Sequence, residues 1–481
     1  MFYKKVSYYF IATIIGTSLS FILLPIYTNF LTLSDFGILA LSYTFGNFLA
    51  GLFSFSLSSA TNRYYFSYKK NKNYKDFATL NTTNLTFLII IFCVCGLIVH
   101  ELSGKISNII FNNLISEKLL ITSFLLGCLS KIFNYLMLIF VSQEKALNYS
   151  IFYILNSVVA NMVSIILICF YSFKADGRII GGIFSFVVLI PFIFYYQKKN
   201  FSFNFKFSDL KRSLKFSLPL MPDTLIGLVN NSFDKIILNR FLGLNSLGSY
   251  DMANRFSNVY KQALDTIIPT WTPYFMNHAE VGGDISKKAI SDRSKIITII
   301  FTILAAIVIN YIEEIVILLT TKEFHNTMQI IPLIIFFTLA IHCYSIIAKA
   351  QILFIKKTKH LFYSSVLALF FNISLNLLFI PKFGIIGAVI ATGLSGLIST
   401  IYISVIGQKF YHISLNFQNL AKQLLIFLVF TIFILFFMNL EIFIFYKIFT
   451  KSIILFCFIA IILHINNFNF IKFYKAIKNA N

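Results

Sequence analysis

Phe30-Leu31-Thr32-Leu33-Ser34-Asp35-Phe36-Gly37 returns 211 residues later as Phe241-Leu242-Gly243-Leu244-Asn245-Ser246-Leu247-Gly248. Each copy is a short link between two long apolar runs, so what repeats is a hydrophobic helical hairpin. The same offset pairs Phe45 with Phe256, Asn47 with Asn258, Lys145 with Lys356 and Asn161 with Asn372. Further on, Ile179-Ile180-Gly181-Gly182 matches Ile385-Ile386-Gly387-Ala388 at an offset of 206. The matches keep their order along the chain, so the sequence reads as a duplication, a recurrent plan among transporters.

Composition says where such hairpins live. The 481 residues are 58% hydrophobic and 12% charged, with a mean hydropathy of +0.81, far too apolar for soluble domains. Runs long enough to cross a hydrocarbon core of ~30 Å fall into three sets. Six lie between Tyr8 and Tyr196 and six between Phe216 and Gly407; two more run from Leu424 to Leu440 and from Ile442 to Leu463. The expected fold is an all-α integral membrane protein of about 14 transmembrane helices. Residues 1–200 form one six-helix bundle and 201–410 its homologue; 411–481 add two helices and a cytoplasmic tail. An even number of crossings per half gives both halves one orientation, related by an axis along the membrane normal. The basic start at Lys4 and Lys5 imitates a secretory leader, but its apolar run reaches Phe30, so an uncleaved first helix is expected.

A balance of 40 Lys+Arg against 18 Asp+Glu, net +22, would suggest nucleic-acid binding in a soluble chain. Beside apolar spans, cations first set orientation, and no nucleic-acid partner is expected. With the N-terminus in the cytoplasm, 26 cations fall on the inner side and 10 on the outer, Arg178, Lys447 and Lys451 among the latter. That asymmetry places both termini inside. The 58 Phe accompany a general bias to Ile, Asn and Lys, so no aromatic stripe is read as a cofactor or base-stacking site. The six cysteines sit in apolar spans without zinc or redox spacing, and no metal or cofactor is expected. The sequence contains no GxxxxGK[ST], HExxH or GxSxG, and no long outward loop in which a membrane-embedded polymerase would build its site. A non-enzyme without catalytic residues is the expectation.

Charges inside the spans carry the functional signal, since each costs ~2.5 to 3.5 kcal/mol at a helix centre unless it faces protein or water. Lys131, Arg255, Lys261 and Lys349 suit a water-filled cationic cavity that receives phosphate groups. Internal pairing is the competing reading for Asp251 with Arg255 and for Lys261 with Asp265, both spaced i,i+4. Lys131 and Lys349 have no acid within four positions, which favours the cavity. His342 aligns with Lys131 at the repeat offset and reads equally as a ligand or as a side chain satisfied within the bundle. Asp223 and Asp234 are candidates for a coupling proton or sodium ion; Asp234 is also placed to pair with Lys235 or Arg240. Asp223 follows Pro219 and Pro222, where loosened backbone accompanies transport sites. Glu313 and Glu314 are either a snorkelling pair or an ion site. Arg63, in Asn62-Arg63-Tyr64-Tyr65, suits a headgroup or sugar-phosphate and equally a topological anchor.

Several segments carry a family resemblance: Ala60-Thr61-Asn62-Arg63-Tyr64-Tyr65, Ser217-Leu218-Pro219-Leu220, Asp234-Lys235-Ile236-Ile237-Leu238-Asn239-Arg240-Phe241-Leu242-Gly243, Gly248-Ser249-Tyr250 and Ile380-Pro381-Lys382-Phe383-Gly384-Ile385-Ile386-Gly387-Ala388. They resemble the O-antigen or capsule-repeat flippases of the multidrug/oligosaccharidyl-lipid/polysaccharide exporter superfamily. The resemblance implies two six-helix bundles around a central V-shaped cavity, working by alternating access in the bacterial inner membrane. The substrate it implies is an undecaprenyl-diphosphate-linked oligosaccharide, moved from the cytoplasmic to the outer leaflet. Lys131, Lys349, Arg255, Lys261 and Arg63 would then meet the diphosphate and sugars, and the two last helices would guide the lipid tail. Membrane lipids, glycosyltransferases and a polysaccharide polymerase are the implied partners of a monomer. A cation-coupled drug or metabolite exporter of the same superfamily is the alternative, set back by the lack of an acidic residue in the first helix. A polymerase stands further behind.

Overall fold

The computed structural model describes residues 12, 15, 16, 18–440 and 443–466. The start of the first run at Tyr8, Lys4 and Lys5, Ile442, and the tail cations from Lys472 to Lys478 lie outside the described residues. In chain order the helices are α1 (Leu24–Phe30), α2 (Leu33–Phe53), α3 (Leu57–Lys70), α4 (Tyr74–Phe111), α5 (Glu117–Ser142), α6 (Ala146–Tyr171), α7 (Lys174–Tyr196) and α8 (Phe207–Ser217). They continue as α9 (Met221–Asn230), α10 (Phe233–Asp265), α11 (Ile268–Val281), α12 (Gly283–Leu319), α13 (Ile331–Phe354), α14 (Lys359–Phe410), α15 (Phe417–Met438) and α16 (Ile444–Ile465). Among the described residues ten helices are long and apolar enough to cross a membrane. The chain is an all-helical, multi-pass membrane protein, because a bilayer leaves backbone polar groups no partner outside a helix or a closed barrel.

Several expected spans are broken rather than continuous. Phe216–Leu238 is a 3-10 turn at Leu218–Leu220, then α9, then the start of α10; Pro219 and Pro222 withhold two backbone donors there. Ser246–Trp271 passes from α10 into α11, next to Pro269. Phe36–Ala60 is interrupted where Phe55 and Ser56 turn left-handed at φ 49° and 52°. Two long helices change direction at glycine: α10 at Gly243 (φ 79°, ψ 179°) and α14 at Gly384 (φ 60°, ψ −137°). Side chains rarely tolerate that conformation, so glycine supplies the corner that joins two spans.

The described fold divides into two compact units. The first comprises Met1–Asp251, Leu319–Phe324 and Asn376–Ile385. In it α6 packs on α7 and α2 on α5, around a core that includes Phe133, Tyr135, Leu136, Phe140, Leu189 and Ile193. The repeated link is explained by its local bonds. Thr32 caps α2 in a reciprocal box with Asp35: the Thr32 N–H donates to Asp35 Oδ2 (2.9 Å) and the Asp35 N–H to Thr32 Oγ1 (3.3 Å). Positions matched at the 211-residue offset also approach each other. A Cβ on Gly37 would stand 2.3 Å from the Leu244 carbonyl oxygen, and one on Gly248 would stand 1.9 Å from that of Leu33. Leu33 and Leu244 are themselves repeat partners, so the two links approach backbone to backbone in a reciprocal contact that only glycine admits.

The second unit comprises Met252–Leu318, His325–Leu375 and Ile386–Asn481. There α11 and α15 pack on α13, and α15 packs on α16. Trp271 donates its indole N–H to the Ile346 carbonyl (2.9 Å), fixing the start of α11 against α13. Gln423 of α15 donates to the Thr298 carbonyl (3.1 Å) and to Thr302, while its own oxygen accepts from Asn466 (3.2 Å).

Candidate functional site

In the second unit, the last turn of α10 supplies Lys261 and Asp265, and α13 supplies His342 and Lys349. Asp265 Oδ1 lies 3.4 Å from His342 Nε2, and His342 Nδ1 donates to the Thr338 carbonyl at 2.8 Å. Both ring nitrogens therefore face oxygen acceptors. Lys261 and Lys349 lie within electrostatic reach of the same carboxylate, and both are exposed. One carboxylate thus serves two ammonium groups and an imidazole, leaving local positive charge available to an anion. The i,i+4 spacing singled out Lys261 with Asp265, but it is His342, 77 positions away, that the carboxylate contacts.

In the first unit, Lys131 is half-buried on α5 and its ammonium has no hydrogen-bond or ion-pair partner among the described residues. The unit also holds a cavity of about 200 Å³ lined by Tyr43, Asn47, Ser130, Asn156, Arg178 and Ser185, among others. Arg178 Nη1 donates to Tyr27 Oη and to Asn161 Oδ1, both at 2.9 Å. Counted as an outer-loop cation in the sequence, Arg178 is a cavity residue on α7, drawn inward by the acceptors on α1 and α6. The signal that could have found it was Asn161, one of the repeated polar positions within a span.

The remaining candidates are scattered. Arg255 is half-buried and engaged by its neighbours. Asp234 is buried, accepting from the Tyr250 hydroxyl (2.7 Å) and from the Lys235 N–H (2.8 Å), while Lys235 Nζ reaches Asp251 Oδ1 at 2.8 Å. Asp223 is exposed in the first turn of α9. Arg63 is exposed on α3. Beside it, the Arg212 guanidinium of α8 lies over Tyr64 (4.8 Å) and Tyr68 (5.5 Å) and donates to the Tyr68 hydroxyl. Burial pushes that phenol above its usual range, and Arg212 offsets part of the shift.

Glu313 and Glu314 are paired internally. Lys447 Nζ reaches Glu313 Oε1 at 2.6 Å and the Met438 carbonyl at 2.9 Å. Lys451 bonds to Glu313 and, at 2.9 Å, to Glu314 Oε1. Lys451 is 0% exposed and Lys447 7%, so neither belongs to an outer loop, where the cation count had put them. Two carboxylates on α12 draw them into the unit, because a buried cation is stable only when paired.

The sequence model of a family described as polysaccharide biosynthesis protein matches residues 2–278. No curated protein matches the chain. Among solved structures the fold is similar to that of the lipid II flippase MurJ in an inward closed conformation, with a TM-score of 0.73 and 18% identity over 95% of this chain and 98% of that one. An inward-facing multidrug resistance MATE family transporter of the MOP superfamily gives a TM-score of 0.64 and 14% identity over 82% of this chain and 94% of that one. A MOP superfamily transporter from Pyrococcus furiosus gives 0.58 and 15% over 84% and 95%. At such identities the likeness speaks for the fold.

Proposed function

Because the chain belongs to the polysaccharide biosynthesis protein family, we propose that it is a flippase for undecaprenyl-diphosphate-linked oligosaccharides, the repeat units of O-antigen or capsule. It would carry them by alternating access from the cytoplasmic to the outer leaflet of a bacterial inner membrane, as a monomer with both termini in the cytoplasm. The homologous halves at 1–200 and 201–410 would supply the two states, with 411–481 alongside the lipid tail. The observation that carries this reading is the gathering of Lys261, His342 and Lys349 about one carboxylate, Asp265. A diphosphate brings compact negative charge and several acceptor oxygens, which such a cluster would bind; Lys131, in the first unit, is a candidate phosphate ligand by itself. Arg255 and Arg63 are the further candidates for the phosphates and sugars, and Asp223 or Asp234 for a coupling ion. Glycosyltransferases would supply the substrate and a polysaccharide polymerase would receive it.

Deleting the gene and assaying lipid-linked repeats in inside-out and right-side-out membranes tests the proposal. Accumulation on the cytoplasmic leaflet, cured by wild type, is the expected result. Likeness to a multidrug resistance transporter favours a second reading, export of drugs or metabolites. An unchanged leaflet distribution with altered resistance to toxic cations would select it.

A further inference from the structure

The second unit contains a cavity of about 80 Å³, open to the outside, where α12, α13, the end of α14 and the first turns of α15 meet. Its polar lining includes Lys295, Thr298, Gln351, Gln408, Asn419 and Gln423, and no Asp or Glu. Lys295 is half-buried, and its ammonium has no hydrogen-bond or ion-pair partner among the described residues. Gln408 accepts the Ile413 N–H on its oxygen (3.0 Å), while its buried Nε2 donor finds no acceptor. Gln423 and Gln351 are each 1% exposed and spend their amide donors on Thr298, Thr302 and Tyr411. The cavity therefore has one amide donor to spare, Gln408 Nε2, and a cation with no carboxylate in its lining. It also adjoins the positive end of α15, where Asn416 already caps the Asn419 N–H (3.0 Å).

We propose that this cavity is a second anion site, distinct from the Lys261–Lys349 cluster, and that it takes a phosphate ester. The ligand needs a compact negative charge for Lys295 and oxygens that accept from amide donors, which a phosphate provides and a neutral sugar does not. The cation asymmetry of the sequence assigns this end of the unit to the cytoplasm. Two sources offer the same chemistry there: a soluble phosphate ester, or the headgroup of an anionic phospholipid.

The full chain in phosphatidylcholine nanodiscs would be titrated with glycerol 3-phosphate, and separately with phosphatidylglycerol exchanged into the disc, reading its thermal shift. Wild type and Lys295→Arg should respond saturably to one of the probes. Lys295→Gln should lose about tenfold or more in affinity, with its ligand-free melting unchanged. Gln408→Met serves as a second variant that leaves the charge in place, and should weaken binding by a smaller factor. Lys382→Gln, an exposed lysine outside the cavity, should bind as wild type does. Response to glycerol 3-phosphate identifies a soluble ligand; response to phosphatidylglycerol alone identifies the lipid. Equal binding by Lys295→Gln, or no response of wild type to either probe, overturns the proposal. The readout is binding, so its failure is separate from any failure of the flippase reading.

Discussion

Lys451 bonds two carboxylates from a position where no water reaches it, and its loss strands both acids. Lys451→Ala leaves Glu313 and Glu314 with one lysine between them, a defect worth about 3–5 kcal/mol. We expect a clear fall in the melting temperature of the detergent-solubilised protein, and a milder one for Lys451→Met combined with Glu313→Gln, which removes charge of both signs. Lys349→Ala should behave differently. Its side chain is exposed, so melting should hold while export of lipid-linked repeats falls about tenfold or more, and Lys349→Arg should keep most of it. Unchanged export by Lys349→Ala would remove that cation from the site. The sequence showed these charges but not their partners. Helical spacing reports neighbours three or four positions away, whereas Glu313 meets Lys447 across 134 positions and Asp265 meets His342 across 77.

At the scale of elements, apolar runs located most spans and failed where backbone, not composition, decides. The interruption at Phe55 and Ser56 has no glycine or proline to announce it. The corners at Gly243 and Gly384 coincide with links already marked by the repeat. Two glycines in one of those links should answer differently to the same substitution. A Cβ on Gly243 would meet nothing within 4 Å, so Gly243→Ala costs only its backbone strain, about 1–2 kcal/mol. Gly248→Ala places carbon 1.9 Å from the Leu33 carbonyl oxygen and forces α2 to move. Melting of Gly248→Ala should therefore fall further than that of Gly243→Ala; the reverse order would mean that the close approach is looser than its geometry.

For the whole molecule, the match between the links Thr32 to Gly37 and Gly243 to Gly248 was readable in the sequence, and in the structure a glycine of each link approaches the backbone of the other. The cavity that holds Lys295 was not readable, since Lys295, Gln408 and Asn419 come together only when α12, α14 and α15 converge with α13. The quartet of Glu313, Lys447 and Lys451, all buried, with the half-buried Glu314, also bears on how the chain is made. Two lysines in its first half raise the insertion cost of α16 by several kcal/mol, up to about 5–7 kcal/mol, if it meets the lipid alone. In a glycosylation-reporter assay, α16 by itself should partition poorly into microsomal membranes, and co-translating α12 should recover it only while Glu313 and Glu314 are intact. On that expectation biogenesis has an order: α16 enters the bilayer as a guest of a helix synthesised more than a hundred residues earlier, and ribosomes that stop short of α16 release a chain holding two unmatched acids for quality control to find.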